Sequence, residues 1–167
     1  TLVPRDQVQE GQGSASEQGL QPNEGAPYAV ELGPLLSVLG LPCQAPSWGD
    51  VAGIDLQDAE VVWKHRNGTT RDSMPFGLPI GLNVGVPALG GPLTTAGGVS
   101  FFSGTLDQYL RGYDITTGEE LYKARLPAGG QATPMTYTGA DGRQYVVVTA
   151  GGHGTFGTKM GDYVIGY

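Results

Sequence analysis

Four polar side chains stand in settings where chemistry is conceivable: His153, Asp107, Asp72 and His65. His153 lies in the run Gly151 to Gly154, GGHG, directly after an apolar segment. An imidazole there has two readings. It is a loop histidine making one backbone hydrogen bond, or it contacts a ligand at a sheet end, where flanking glycines let a substrate approach. Asp107 follows Gly104 at a loop-to-strand junction, where a carboxylate caps the turn or orients a cation or an arginine. Asp72, next to Arg71, reads as a local ion pair or a cap, and His65, between Lys64 and Arg66, as a surface residue. The two histidines are 88 positions apart and give no metal-ligand spacing.

Two motifs point the wrong way. Gly152 to Gly157, GHGTFG, fits GxGxxG, and Gly157 to Lys159, GTK, looks faintly like a phosphate loop. A dinucleotide site needs a helix opening at the third glycine and an acidic residue roughly 20 positions on. Here the chain leads from Gly157 into another strand-like segment. Cys43 has no neighbour that would activate its thiolate and is expected to pack as a small apolar residue. A single cysteine allows no internal disulfide.

The elements that would carry these residues are strands. From Gly90 to Tyr167, short runs rich in Val, Phe and Tyr alternate with Gly, Thr and Asp turns. Strands are expected at 99–103, 109–114, 120–125 and 145–150, with Gly118 giving the positive φ of the turn after Asp114. Upstream, 49–55 and 60–63 form another pair. The two regions are copies. Asp55 precedes Trp63 by eight residues as Asp114 precedes Tyr122, and Gly53, Gly112 and Gly166 recur at intervals of 59 and 54. Strand-built repeats of this length signal β-propeller blades. The repeated Asp is expected to cap its turn and the aromatic to pack between neighbouring sheets.

The rest is organised around these blades. Residues 1–47 read as an irregular polar arm to Pro27, then a buried extended segment with one helical turn. Residues 48–167 hold the blades and a long Gly- and Pro-rich loop, 66–92, whose Met74, Phe76, Leu78, Ile80 and Val84 are expected to hold it down. Two to three blades do not close a ring, so the chain is expected to be incomplete alone and to require an upstream polypeptide of the same propeller. A net charge of −7 argues against nucleic acid as a partner. No run of ~18 apolar residues could span a bilayer, so any membrane segment is expected outside this chain.

These residues resemble the C-terminal end of the membrane-type quinoprotein glucose dehydrogenases, among the pyrroloquinoline quinone (PQQ)-dependent alcohol and sugar dehydrogenases. The matching stretches are Leu89–Pro92 with Thr95–Gly97, Tyr109–Arg111, Arg125–Tyr137 and Ala150–Tyr163. Gly25–Tyr28, Gly40–Cys43 and Asp72–Phe76 extend them upstream.

The resemblance implies an all-β fold: the C-terminal blades of an eight-bladed β-propeller locked by tryptophan-docking motifs. Asp55–Trp63 is one such motif, and Tyr122 departs from it. It implies oxidation of a sugar or cyclic polyol hydroxyl, D-glucose or quinate/shikimate. PQQ and Ca²⁺ or Mg²⁺ would be the cofactors, and electrons would pass to ubiquinone at the periplasmic side of the inner membrane. His153 would contact substrate and PQQ, and Asp107 would bind substrate. Leu89, Gly90 and Gly91 would lie beside the PQQ, and Gly68 and Asp72 would serve cofactor or cation. The catalytic aspartate and the membrane anchor would lie upstream. A non-catalytic propeller scaffold of PQQ-like repeats is the alternative. It needs neither the GGHG turn nor the 66–92 loop.

Overall fold

The computed structural model describes residues 1–8, 13 and 18–167, in two compact units, Thr1–Cys43 and Gln44–Tyr167. The expected irregular arm holds strands instead. β1 (Leu2–Pro4), β2 (Gly19–Gln21) and β3 (Tyr28–Leu32) form an antiparallel sheet in the order β1-β3-β2. The remainder of that arm, 9–12 and 14–17, lies outside the described residues. The segment after β3 is neither helical nor buried. Ser37 and Cys43 donate their N–H groups to the carbonyls of Leu41 and Leu35. The tight hairpin so formed turns Leu35, Leu36, Val38 and Leu39 outward. Cys43 is exposed rather than packed, because it closes this hairpin from outside.

The second unit is a succession of antiparallel sheets. β4 (Asp50–Asp55) pairs with β5 (Glu60–Arg66). β6 (Leu93–Thr94), β7 (Val99–Phe102), β8 (Tyr109–Asp114) and β9 (Glu120–Arg125) form a four-stranded sheet in chain order. β10 (Met135–Thr138), β11 (Gln144–Ala150) and β12 (Tyr163–Gly166) follow in the same manner. β6, of two residues, and β10 were not among the strands expected from sequence.

The repeat appears as geometry. Gly53 faces Trp63 and Gly112 faces Tyr122, and in both sheets the register shifts immediately after the glycine. Asp55 accepts the N–H of Gln57 at 2.8 Å, and Asp114 accepts those of Thr116 and Thr117 at 2.7 and 2.9 Å. Both aspartates therefore cap their turns as the sequence implies. Trp63 reaches out of its own sheet: Nε1 donates to the Ile115 carbonyl at 2.8 Å. Its ring lies over Gly118, where a Cβ would come within 2.6 Å of it. Tyr122 packs edge-on against Phe101 and Tyr167, with ring centroids 6.4 and 6.0 Å away. The core is likewise shared between sheets: Leu110 of β8 meets Val148 and Ala150 of β11, with Leu126 and Ala128 from the connection between them.

Antiparallel order decides where the candidate residues go. Successive connections alternate between the two ends of each sheet. The β5–β6, β7–β8, β9–β10 and β11–β12 connections therefore emerge at one end, and every residue singled out for ligand contact lies in three of them.

Candidate functional site at one end of the sheets

The β7–β8 connection is built around a buried ion pair. Asp107 is 0% exposed and Arg111 2%. The guanidinium meets the carboxylate with both Nη atoms, at 3.0 and 2.5 Å. Thr105 Oγ1 donates to Asp107 Oδ1 at 2.7 Å, and the Thr69 N–H and hydroxyl donate to Oδ2 at 2.8 and 2.9 Å. Arg111 also donates to Thr105 Oγ1 at 2.8 Å, and its Nε lies 3.2 Å from Glu120. Burial pushes the Asp107 carboxyl up. The hydrogen bonds and charge of Arg111, with the two threonine hydroxyls, outweigh it and hold the carboxyl below its ordinary range. Burial likewise opposes the charge on Arg111, and Asp107 more than restores it. Such a pair is tolerable only because nearly every donor and lone pair is used. Of the sequence alternatives, Asp107 orients an arginine. With no exposed surface and five donors on its oxygens, it does not itself face a substrate.

Thr69 brings the base of the long β5–β6 connection to this pair. Gly68 is buried there beside Val86 and Thr105. A polar cavity of about 560 Å³ opens alongside, bordered by Gly68, Thr69, Arg111, Tyr113, Glu120 and Lys123. His153 and Leu89–Gly91 do not border it. Asp72 does not pair with Arg71. Its two oxygens receive Arg125 Nη1 and Nη2 at 2.5 and 2.6 Å, and Arg125 also donates to the Asp107 carbonyl. The loop is thus tied to β9, while Arg71 turns to the Tyr109 hydroxyl at 3.5 Å.

Of the loop's apolar residues Val86 is buried and Met74 and Val84 are half-buried, while the middle of the loop is not held down as expected. Phe76 is 88% exposed, and Leu78, Ile80 and Leu82 are exposed too. Its two arms are instead joined by polar contacts. Thr70 Oγ1 donates to the Ile80 carbonyl at 2.7 Å and accepts the Leu82 N–H at 3.1 Å. Val86 donates to the Asn67 carbonyl at 2.8 Å.

A second cluster contains the remaining candidates. Leu89 donates its N–H to the Gly104 carbonyl at 3.1 Å. Gly91 donates to Thr133 Oγ1 at 2.8 Å. His153 donates its backbone N–H to Thr158 Oγ1 at 2.8 Å, and its ring packs edge-on against Phe156. Gly152, at φ +77°, does not make room for a ligand: a Cβ there would lie 2.4 Å from the Lys159 carbonyl. The open side is Gly154, where a Cβ would meet nothing within 4 Å. His153 Nδ1 is buried and has no hydrogen-bond partner. A buried polar atom left unpaired is costly and calls for an explanation. No helix follows Gly157, so the dinucleotide motif is excluded on geometry.

Sequence reasoning missed Arg111, Arg125, Gln131 and Thr158 as parts of this end. Only the quoted stretches containing them hinted at it. Among the described residues, no three His, Cys, Asp or Glu side chains are grouped to hold a metal ion. Among the same residues, no helix is long and apolar enough to cross a membrane.

Comparison with known proteins gives a consistent result. Residues 1–146 match the family described as "PQQ: Glucose/ethanol/alcohol dehydrogenase, beta-propeller domain". The chain is 57% identical to quinoprotein glucose dehydrogenase A of Acinetobacter calcoaceticus, over 99% of this chain and 21% of that one. It is 55% identical to the quinoprotein glucose dehydrogenase of Escherichia coli K12, over 98% and 21%. It is 47% identical to a probable quinate dehydrogenase (quinone) of Xanthomonas campestris pv. juglandis, over 89% and 19%. The chain therefore spans about a fifth of the length of the relatives it matches.

Proposed function

This chain belongs to the PQQ glucose/ethanol/alcohol dehydrogenase β-propeller family, and from that premise we propose that it is part of a PQQ-dependent dehydrogenase. The substrate is a hydroxyl of a sugar or cyclic polyol. D-Glucose comes first and quinate or shikimate second, in the order of the identities to relatives so named. In this chain, the observation that carries the reading is the unpaired, buried Nδ1 of His153 beside the open side of Gly154.

Bound PQQ would supply the two-electron acceptor that converting a hydroxyl-bearing carbon to a carbonyl requires. The chain's own residues bind and orient. His153 Nδ1 donates to or accepts from a substrate hydroxyl or a cofactor carboxylate, which would supply its missing partner. Leu89, Gly90 and Gly91 would line the cofactor's side of the site. Gly68 serves at the base of the long loop, and Asp72 serves through Arg125. Asp107 acts through the groups it fixes, Thr69 and Arg111, rather than by touching substrate. The catalytic base and the donors for Ca²⁺ or Mg²⁺ are assigned to an upstream polypeptide of the same propeller. Ubiquinone is the proposed electron acceptor. The proposed location is the periplasmic face of the inner membrane, reached through a segment other than this chain.

The test is steady-state turnover by the holoenzyme containing this chain, loaded with PQQ and Ca²⁺ or Mg²⁺, with a redox dye as acceptor. D-Glucose, quinate and shikimate form the panel, and one class is expected to turn over. Tight PQQ binding without turnover of any hydroxyl compound would favour the scaffold alternative.

A further inference from the structure

We infer that Gln131 and Thr158 are positioning residues that hold His153 and the Leu89–Gly91 segment in fixed relation across the proposed site. This rests on the PQQ-dehydrogenase reading. Both side chains are only 8% exposed. Thr158 Oγ1 has one hydrogen to give. It accepts the His153 backbone N–H at 2.8 Å, so it donates that hydrogen to Gln131 Oε1, 2.9 Å away. With its oxygen so used, the Gln131 amide directs Nε2 to the Gly104 carbonyl at 3.4 Å. That same carbonyl accepts the Leu89 N–H at 3.1 Å. The polar path therefore runs His153, Thr158, Gln131, Gly104, Leu89, and it joins four connections between strands.

Backbone packing reinforces it from both sides. The Gly129 carbonyl accepts the Gly152 N–H at 2.8 Å, and the Gly129 N–H donates to the Lys159 carbonyl at 2.9 Å. On the other side, Gly90 lies against the Gln131 carbonyl, so closely that a Cβ there would be 2.7 Å from it. Thr158 also returns its own N–H to the His153 carbonyl at 3.3 Å, closing the GHGTF turn on itself. The backbone of His153 is thus held by Thr158 from both of its polar groups, while its ring keeps Nδ1 unpaired. Such an arrangement preorganises the imidazole instead of satisfying it.

The test compares Thr158→Val, which keeps the shape and loses the hydroxyl, with Thr158→Ser, which keeps it. Gln131→Met severs the same path from the other side, should either threonine variant fold poorly. Three readouts are taken: amide hydrogen exchange at His153 in the PQQ-free protein, PQQ affinity from quenching of intrinsic fluorescence, and KM against kcat. Thr158→Val and Gln131→Met are expected to speed exchange at His153 and to raise KM and the PQQ Kd about tenfold. They should leave kcat within about threefold. Thr158→Ser is expected to restore all three. In a His153→Asn background Thr158→Val should add little to KM, since it acts through that side chain.

Unchanged KM and PQQ Kd in both severed variants, or full additivity with His153→Asn, would overturn the inference. A wild-type holoenzyme that neither binds PQQ nor turns over would overturn the functional reading itself. Normal wild-type behaviour separates the first failure from the second.

Discussion

Trp63 Nε1 donates to the Ile115 carbonyl at 2.8 Å, so a side chain of β5 is fastened to the turn between β8 and β9 of the next sheet. Gly118 in that turn leaves the indole a flat seat. The contact is covalently remote and packs two sheets that share no strand. Trp63→Ala is expected to cost about 2–4 kcal/mol, at or below the range for a fully buried aromatic because the ring is half-buried. Trp63→Phe should cost about 1 kcal/mol through the lost hydrogen bond. Urea unfolding midpoints of the two variants check this. A neutral Trp63→Ala would mean that the sheets are held together by other contacts.

Asp107 and Arg111 carry a second prediction. Arg111→Leu leaves a buried carboxylate without its counter-charge and is expected to destabilise by about 3–5 kcal/mol. Asp107→Asn combined with Arg111→Gln should cost less than that single change. The pH dependence follows from the sign of the Asp107 shift. Its carboxyl is held below the ordinary 3.8 in the folded state. The resulting stability is present above that value and is lost as pH falls through the lowered one. Melting temperatures taken from pH 7 to pH 3 should fall at the acid end in the wild type, and less steeply in the double variant. Identical acid slopes would show that the pair does not contribute.

His153→Asn keeps a hydrogen-bonding group and removes the imidazole. It is expected to raise KM by about tenfold, as for loss of one substrate hydrogen bond, with a smaller fall in kcat. It should also change preference among sugars and cyclic polyols. An interaction made equally in the ground and transition states behaves in this way. Steady-state kinetics at saturating PQQ decide it. Unchanged KM and preference would leave His153 as a loop histidine. Collapse of kcat with KM intact would make it an acid or base.

The repeat was legible because it is written in residues with strong local consequences. Asp55 and Asp114 cap turns, Gly118 takes φ +74°, and Trp63 is too large to be idle on one sheet. The strands Tyr109–Asp114 and Glu120–Arg125 stand where the alternation placed them. What escaped were relations between distant positions. Asp72 has an arginine next to it in sequence but pairs with Arg125, 53 positions away, because the loop doubles back onto β9. Arg111 appears as an ordinary strand residue until Asp107 and Glu120 are brought around it. The exposed Phe76, Leu78 and Ile80 show the limit of composition: hydrophobicity alone did not reveal which loop residues would be buried.

The most direct test of the account is titration of PQQ into the cofactor-free enzyme that contains this chain, with Ca²⁺ or Mg²⁺ present and NAD as the control ligand. The account predicts saturable PQQ binding that weakens in Leu89→Arg, where a charge would be set beside the proposed cofactor position, with no response to NAD. Binding and turnover with NAD and none with PQQ would contradict it.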